Sequence, residues 1–229
     1  MTDCGNPEEI AKLCEKYGLE FSFIHSPFIG LNSIWHRGEA GEIMYRKIIE
    51  SIDHCVNCNA PIAVVHISSG YHPGRMTKLG QNRFKAIVEY AKERNIKIAF
   101  ENLRVPAYLY WVMDAFKDYD NVGFCWDIGH ENCFTEGISY LKLYGDKLLC
   151  THLHDNLCEK SGDLHMLPFD GKIDYEKALK DMAKLDFDGP IMLEVFAKHE
   201  MYNGITPADF LKRAYNSTER IRTILANNK

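Results

Sequence analysis

Short apolar segments alternate with amphipathic helical patterns along the whole chain, and this alternation restricts the fold more than any other feature. Runs rich in aliphatic, β-branched and aromatic residues lie at 21–27, 62–68, 97–102, 122–130, 147–155 and 190–196. Such runs are typical of strands that are buried on both faces of a parallel sheet. Apolar residues at helical spacing lie between them, after start signals such as Asn6-Pro7 and Thr206-Pro207. The pattern predicts a parallel α/β fold.

Length and composition fit a single compact domain over residues 1–229. The chain is 46% hydrophobic, which is enough for a full core, and no apolar run approaches the roughly 20 residues that span a membrane. The N-terminus lacks the pattern of a signal peptide, and several of the eight cysteines lie inside apolar runs, as reduced thiols do. We therefore expect a cytoplasmic protein. A net charge of −5 argues against nucleic acid or an anionic membrane as the general partner.

Each predicted strand ends in a polar side chain that is able to bind a metal ion or move a proton. In chain order these residues are His25, His66, Glu101, Asp127, His152 and Glu194, with His130 one turn beyond the aspartate. The carboxyl ends of parallel strands share one side of a sheet, so the six side chains should converge. Buried carboxylates beside histidines are costly unless they are paired or bound to metal.

The chemistry of these side chains favours one class of ion and one class of reaction. Two glutamates, an aspartate and an imidazole form a hard, oxygen-rich site that suits Mn²⁺, Mg²⁺ or Zn²⁺. Such an ion acts as a Lewis acid on a ketose oxygen and its neighbouring hydroxyl group. The hydrogen on the adjacent carbon becomes more acidic, and a glutamate on each side of the sugar could remove and return it.

Five segments together resemble a known superfamily. In chain order they are "AFENL", "CWDIGH", "THLHDN", "DLHMLPFDGKIDYEKAL" and "DGPIMLEV". They are similar to the xylose isomerase-like sugar phosphate isomerases and epimerases, whose relatives include ketose 3-epimerases, hydroxypyruvate isomerases, inosose dehydratases and apurinic endonucleases of the endonuclease IV type. The resemblance implies a TIM-type (β/α) barrel. It is an incomplete one, since six of the eight βα units are recognisable and the family pattern places the other strands before residue 1.

The resemblance also implies roles for individual residues. The metal ligands of the epimerases match Glu101, Asp127, His152 and Glu194. The same two glutamates, Glu101 and Glu194, are implied as the catalytic acid/base pair around one divalent metal ion. His130 matches a substrate contact. Cys158 stands where some epimerases carry an arginine, which argues against a ketose 3-epimerase specificity.

Further residues match the wider ligand set of the endonuclease branch. His25, His66, Asp163 and His165 have counterparts in its three-zinc cluster, so Asp163 and His165 are candidates for a second metal site. In the isomerase branch the resemblance implies substrate contacts for His25, His66 and His165. Asp155 is predicted to bind the substrate or to orient a ligand. For His154 two alternatives stay open, a partner of a ligand or simple structural support.

We therefore expect a divalent-metal-dependent sugar or sugar phosphate isomerase or epimerase that moves a proton next to a carbonyl group. The alternatives are a zinc-dependent apurinic endonuclease of the endonuclease IV type and a non-catalytic, truncated sugar-binding relative. The expected partner is a small sugar or sugar phosphate, without nucleic acid or membrane. An open sheet would expose two long edges, so we also expect a homo-oligomer that covers the open side.

Overall fold

The computed structural model describes residues 5–159 and 162–228. The chain divides into two compact units, Met1–Phe124 and Cys125–Lys229. Among the described residues, no helix has both the length and the apolar character needed to cross a membrane. The prediction of one domain over residues 1–229 stays a prediction.

The first unit consists of parallel strands that alternate with helices. Its strands are β1 (Phe23–His25), β2 (Ile62–Val65), β3 (Lys97–Glu101) and the first half of β4 (Val122–Asp127); its helices are α1 (Pro7–Lys16), α2 (Glu39–Asn57), α3 (Lys78–Glu93) and α4 (Pro106–Ala115). A 3₁₀ helix, Leu31–Trp35, lies between β1 and α2. The strands lie in chain order and are parallel, with His25 beside Val64 and Val64 beside Ala99.

An aromatic cluster forms much of the core of the first unit. Trp35 is fully buried, and its ring centroid lies 5.1 Å from that of Phe84, 5.2 Å from that of Tyr108 and 5.4 Å from that of Trp111. Gly80 of α3 packs directly under this indole ring, because a Cβ atom added there would lie 2.8 Å from Trp35 Cδ2 and overlap Cε3. A side chain at position 80 is therefore excluded by packing.

We expect Gly80→Ala to destabilise the protein, although the same change in an open helix stabilises by about 1 kcal/mol. The overlap with Trp35 forces the helix or the indole to shift, so the free energy of unfolding should fall by about 2 kcal/mol. Urea unfolding followed by tryptophan fluorescence measures the change. In the Trp35→Leu background the penalty of Gly80→Ala should shrink; an unchanged penalty would show that the indole is not its cause.

The second unit continues the alternation. It holds the second half of β4, then β5 (Leu148–Leu153) and β6 (Ile191–Leu193), and the helices α5 (Ile128–Phe134), α6 (Tyr140–Tyr144), α7 (Tyr175–Met182) and α8 (Pro207–Ala226). Strands β5 and β6 are parallel, with His152 beside Met192. The β5–α7 connection folds back through an antiparallel bridge between Asp155 and Met166.

The predicted parallel α/β fold is confirmed, and the described residues contain six parallel strands where a complete TIM barrel has eight. Two details differ from the sequence prediction. The apolar run 122–130 is a strand only to Asp127, because the Asp127 side chain accepts a hydrogen bond from the His130 amide and begins α5. Strands β1 and β6 are three residues each, shorter than the apolar runs that predicted them.

Candidate metal centre

The first unit brings together three of the residues predicted from strand ends. Glu101 is 1% exposed, and its Oε2 lies 3.1 Å from His66 Nε2 and 3.3 Å from His25 Nε2. One ligand atom of each residue lies within 4.8 Å of the others. The Phe28 ring stacks on the His66 ring at 4.6 Å and shields this group.

The backbone fixes the tautomer of His25 in a way that suits a metal ligand. His25 Nδ1 donates to the carbonyl oxygen of Ser26 at 2.9 Å, so in the neutral ring the lone pair is on Nε2. That nitrogen faces the Glu101 carboxylate. A lone pair facing a carboxylate is repelled unless a proton or a cation lies between them, and metal-bound histidines commonly have their second nitrogen held by a carbonyl group.

In the second unit, the Asp127 carboxylate lies between His130 and His154. Its Oδ1 accepts from the His130 amide at 2.6 Å and from His154 Nε2 at 3.1 Å, while Oδ2 lies 3.4 Å from His130 Nδ1. The residue is fully buried at the junction of β4 and α5. The capping role thus fixes the direction of a carboxylate that a strand alone would leave free to rotate.

His152 and Glu194 lie at the neighbouring strand ends. His152 Nδ1 is 3.1 Å from Glu194 Oε2, and the side chains are 2% and 31% exposed. Glu194 directly follows β6, and its amide donates to the Leu153 carbonyl oxygen at 3.1 Å. One ligand atom each of Asp127, His152 and Glu194 lies within 4.8 Å of the others. The second unit therefore gathers three of the four predicted metal ligands, and Glu101 is held in the first unit.

A further group surrounds Asp163 in the second unit. The carboxylate lies 3.3 Å from His130 Nε2, 3.4 Å from His165 Nε2 and 3.8 Å from His154 Nε2. The His154 and His165 rings stack with centroids 4.1 Å apart. His165 Nδ1 bonds the Glu194 carbonyl oxygen at 2.8 Å, which leaves Nε2 for the carboxylate side, as in His25. His130, Asp163 and His165 are thus brought together as a possible second metal site.

The electrostatics of this group favour an ionised carboxylate. Burial alone would raise the pKa of Asp163, but hydrogen bonds from His130 and His165 hold it well below its usual range. For His165 burial acts in the opposite direction and lowers the pKa. The Asp163 carboxylate outweighs this effect, so the pKa of His165 is raised above its usual value. The Asp163 carboxylate therefore favours the protonated form of His165.

Asp155 occupies a different environment from the other predicted residues. It is fully buried, and its carboxylate accepts hydrogen bonds from the amides of Asn156 (2.8 Å), Phe169 (3.0 Å) and Ile173 (3.1 Å). Burial raises its pKa, while these amides favour the ionised form. The observed contacts give Asp155 the structural task of closing the β5–α7 connection. A role in substrate binding stays a prediction.

His154 is the residue that the sequence analysis left undecided. It is fully buried, donates from Nε2 to Asp127, and its Nδ1 has no hydrogen-bond partner among residues 5–159 and 162–228. Its ring packs against Gly129, where an added Cβ would lie 2.5 Å from Nδ1 and would overlap Cε1. The alternation of the strand placed His154 on the face of His152, but the contact with Gly129 depends on tertiary structure.

We expect Gly129→Ala to disturb the centre as well as the fold. A methyl group at position 129 must displace either the His154 ring or α5, which carries His130, so the free energy of unfolding should fall by about 2 kcal/mol. The His154 ring orients Asp127 through its Nε2 hydrogen bond. Displacing this ring should therefore weaken metal binding about tenfold. Calorimetric titration with Mn²⁺ measures the affinity. Wild-type stability together with wild-type affinity would contradict the observed packing.

The donor set fits a divalent metal ion. The carboxylates and imidazoles present are the usual ligands of Zn²⁺ and Mn²⁺. Two of the imidazoles, His25 and His165, direct Nε2 toward a carboxylate while Nδ1 is held by a backbone carbonyl group. Asp127, His152 and Glu194 would hold the ion in the second unit. A bound cation would compensate the negative charge of these buried carboxylates.

Comparisons with known proteins agree with this architecture. An uncharacterized protein of Sinorhizobium fredii is 28% identical over 206 residues, which are 84% of this chain and 63% of the relative. The chain thus spans less than two thirds of that curated protein. Among solved structures, a D-tagatose 3-epimerase-like protein (23% identity, TM-score 0.73) covers 97% of this chain and is itself 83% covered.

Two further solved structures share the fold. D-psicose 3-epimerase from Clostridium cellulolyticum with D-tagatose is 14% identical with a TM-score of 0.76 over 96% of this chain and 83% of its own. The IolI protein with a bound zinc atom is 17% identical with a TM-score of 0.73 over 95% of this chain and 82% of its own. The family profile described as "xylose isomerase-like TIM barrel" matches residues 3–219. The chain therefore belongs to the xylose isomerase-like TIM barrel family.

Proposed function

We propose that the chain is a divalent-metal-dependent isomerase or epimerase of a small polyhydroxy carbonyl compound, either a sugar or a sugar phosphate. The observation that carries the proposal is the convergence of Asp127, His152 and Glu194, at the carboxyl ends of β4, β5 and β6, with ligand atoms within 4.8 Å of one another. Sugar epimerases among the structural neighbours support the same class of reaction.

In this proposal Asp127, His152 and Glu194 bind one divalent ion, and the resemblance adds Glu101 as a fourth ligand. A bound ion would polarise the substrate carbonyl group and its neighbouring hydroxyl group. Mn²⁺, Mg²⁺ and Zn²⁺ all suit a set of carboxylates and one imidazole.

Glu194 is the proposed base that removes the proton from the carbon next to the carbonyl group. Its side chain is 31% exposed and can therefore meet a substrate, while its contact with His152 at 3.1 Å holds it in place. The Glu194 carbonyl oxygen is also fixed by His165. Glu101, the second member of the pair that the resemblance implies, returns the proton. His25, His66, His130 and His165 are the proposed substrate contacts.

Exchange of carbon-bound hydrogen in D₂O tests the proposal whichever product is formed. The protein, loaded in turn with Mn²⁺, Mg²⁺ and Zn²⁺, is incubated with a panel of ketoses and ketose phosphates and followed by proton NMR. We expect loss of the signal next to the carbonyl of at least one compound, and no loss after chelation by EDTA. An absence of exchange across the panel with every metal would contradict the proposal.

A second candidate function is a zinc-dependent apurinic endonuclease. The observation that favours it is the group of His130, Asp163 and His165, which adds metal-binding capacity beyond a single ion. The net charge of −5 opposes it, because binding to a phosphate backbone usually requires a basic surface. Zinc-dependent cleavage of an abasic duplex, together with no hydrogen exchange in any sugar, would replace our first proposal with this one.

Self-association is the remaining part of the proposal. The second unit exposes large apolar side chains, with Leu211 67% and Tyr215 66% exposed on α8 and Met192 40% exposed on β6. Leu211 and Tyr215 lie one turn apart on the same helix, and exposed apolar side chains that form a patch favour protein contacts. Sedimentation velocity should give a species larger than 26.4 kDa, and a monomer across the micromolar range would contradict the expectation.

A further inference from the structure

A tight turn in the second unit, between the 3₁₀ helix Glu200–Tyr202 and α8, contains an Asn-Gly pair. Asn203 is the only asparagine in the sequence that precedes a glycine. Its φ of −58° and ψ of 125°, followed by a φ of +79° at Gly204, are the angles of a type II turn. The Ile205 amide closes the turn by donating to the Tyr202 carbonyl oxygen at 3.0 Å. Glycine adopts the positive φ at this position without strain.

The centre of this turn is open to solvent. Asn203 and Gly204 are exposed, and a Cβ atom added at Gly204 would meet no other atom within 4 Å. In the part of the chain that the structure describes, neither the Asn203 side-chain amide nor the Gly204 backbone amide forms a hydrogen bond. Type I and type II turns differ by a rotation of this central peptide plane. The plane can therefore turn toward the Asn203 side chain without breaking a hydrogen bond of its own.

The two ends of the turn are fixed, in contrast to its exposed centre. Tyr202 is 3% exposed, and its hydroxyl group donates to Asp170 Oδ2 at 2.8 Å and accepts from the Leu167 amide at 2.8 Å. Ile205 packs against the buried cluster of Met166, Leu167 and Tyr202. The turn therefore joins two anchored residues by a short segment, and a longer backbone between them would strain both anchors.

We propose that Asn203 and Gly204 form a site of spontaneous succinimide formation, which converts Asn203 into aspartate or isoaspartate. The Gly204 backbone nitrogen loses its proton to hydroxide and attacks Cγ of Asn203, and glycine leaves this nitrogen accessible because it has no Cβ. The bond from Cγ to the side-chain nitrogen breaks, and that nitrogen leaves as ammonia with a proton from water. A second water molecule then opens the five-membered imide at either of its two carbonyl groups. The modification is independent of the proposed isomerase activity.

The two products differ in their effect on the turn. Aspartate adds a negative charge and leaves the length of the main chain unchanged. Isoaspartate places its Cβ in the main chain, so the backbone between Tyr202 and Ile205 gains one atom. The hydrogen bond that closes the turn is then lost, and the Tyr202 hydroxyl group is pulled away from the Leu167 amide. The turn belongs to the β6–α8 connection, which begins with Glu194, so the change falls in the segment that carries the proposed base.

Ageing of the full chain at mildly alkaline pH tests the site, with peptide mapping by mass spectrometry that separates aspartate from isoaspartate. A synthetic peptide of residues 199–208 is the reference, because it has the same sequence without the fold. We expect residue 203 to lose its side-chain amide in both samples, with isoaspartate among the products. Asn216 is the matched control and should keep its amide, since it is exposed but precedes Ser217 inside α8, where backbone amides are bonded within the helix. An Asn203 that stays intact in the chain after the peptide has converted, or an Asn216 that converts first, would overturn the proposal.

Backbone hydrogen exchange tests the structural consequence in the same samples. The aged protein is compared with fresh protein and with Asn203→Asp, which carries the added charge without the extra main-chain atom. We expect the Leu167 and Ile205 amides to exchange at least about fivefold faster in the isoaspartyl protein, because each loses its hydrogen bond, and to keep the fresh rate in Asn203→Asp. Unchanged exchange in the isoaspartyl protein would contradict the lengthened turn, and equal acceleration in Asn203→Asp would assign the effect to charge instead.

Discussion

Replacing Glu194 by glutamine is expected to lower the rate of hydrogen exchange at the substrate carbon by about 10²–10⁴-fold. The amide keeps the size of the side chain but cannot accept the proton. It also replaces a charged oxygen 3.1 Å from His152 Nδ1, so metal affinity should fall as well. The rate is measured at saturating metal so that loss of the base is separated from loss of the ion.

Glu200→Gln is the matched control, since Glu200 is exposed in the same unit and lies outside the candidate centre. Its exchange rate should equal that of the wild type. General-base catalysis usually contributes about 10²–10⁴-fold to the rate. If metal-saturated Glu194→Gln exchanged hydrogen within about threefold of the wild-type rate, Glu194 would not be the base.

Replacing Asp155 by alanine should cost about 4 kcal/mol of folding free energy, because three backbone amides, two of them in buried hydrogen bonds, lose their acceptor at once. The affected amides are those of Asn156, Phe169 and Ile173, which close the connection between β5 and α7. Chemical denaturation gives the change in stability. Asp155→Asn, which keeps one carbonyl oxygen, should lose a smaller part of the stability.

Asp146→Ala provides a comparison at an exposed aspartate of the same unit and should stay within about 0.5 kcal/mol of the wild type. The experiment separates the structural role of Asp155 from its predicted role at the substrate. A stable Asp155→Ala protein that binds metal normally but has lost activity would contradict the structural role and support the catalytic one.

The sequence was most informative about where strands end. The apolar runs and the helical spacing between them predicted the parallel strands. The polar residue at the end of each run predicted which side chains would come together. Asp127, His152 and Glu194 follow this rule within the second unit. The rule works because the carboxyl ends of parallel strands lie on one side of the sheet regardless of the sequence between them.

Contacts that depend on loops were beyond the reach of the sequence. Nothing in the pattern "THLHDN" distinguishes His154, which orients Asp127, from Asp155, which binds three amides of its own connection. The start of α5 at Ile128 was also missed, since "VGFCWDIGH" is apolar almost to its end and the capping role of Asp127 depends on local geometry. Distances between segments far apart in sequence decide such roles.

Metal content is the most direct test of the central claim that carboxylates and histidines at the strand ends form a divalent metal site. The purified protein is analysed by inductively coupled plasma mass spectrometry, beside Asp127→Asn and Glu194→Gln. We predict about one Mn, Mg or Zn per wild-type chain and a reduced content in both variants. About three zinc ions per chain would favour the endonuclease alternative, and no metal in the wild type after reconstitution would contradict the account.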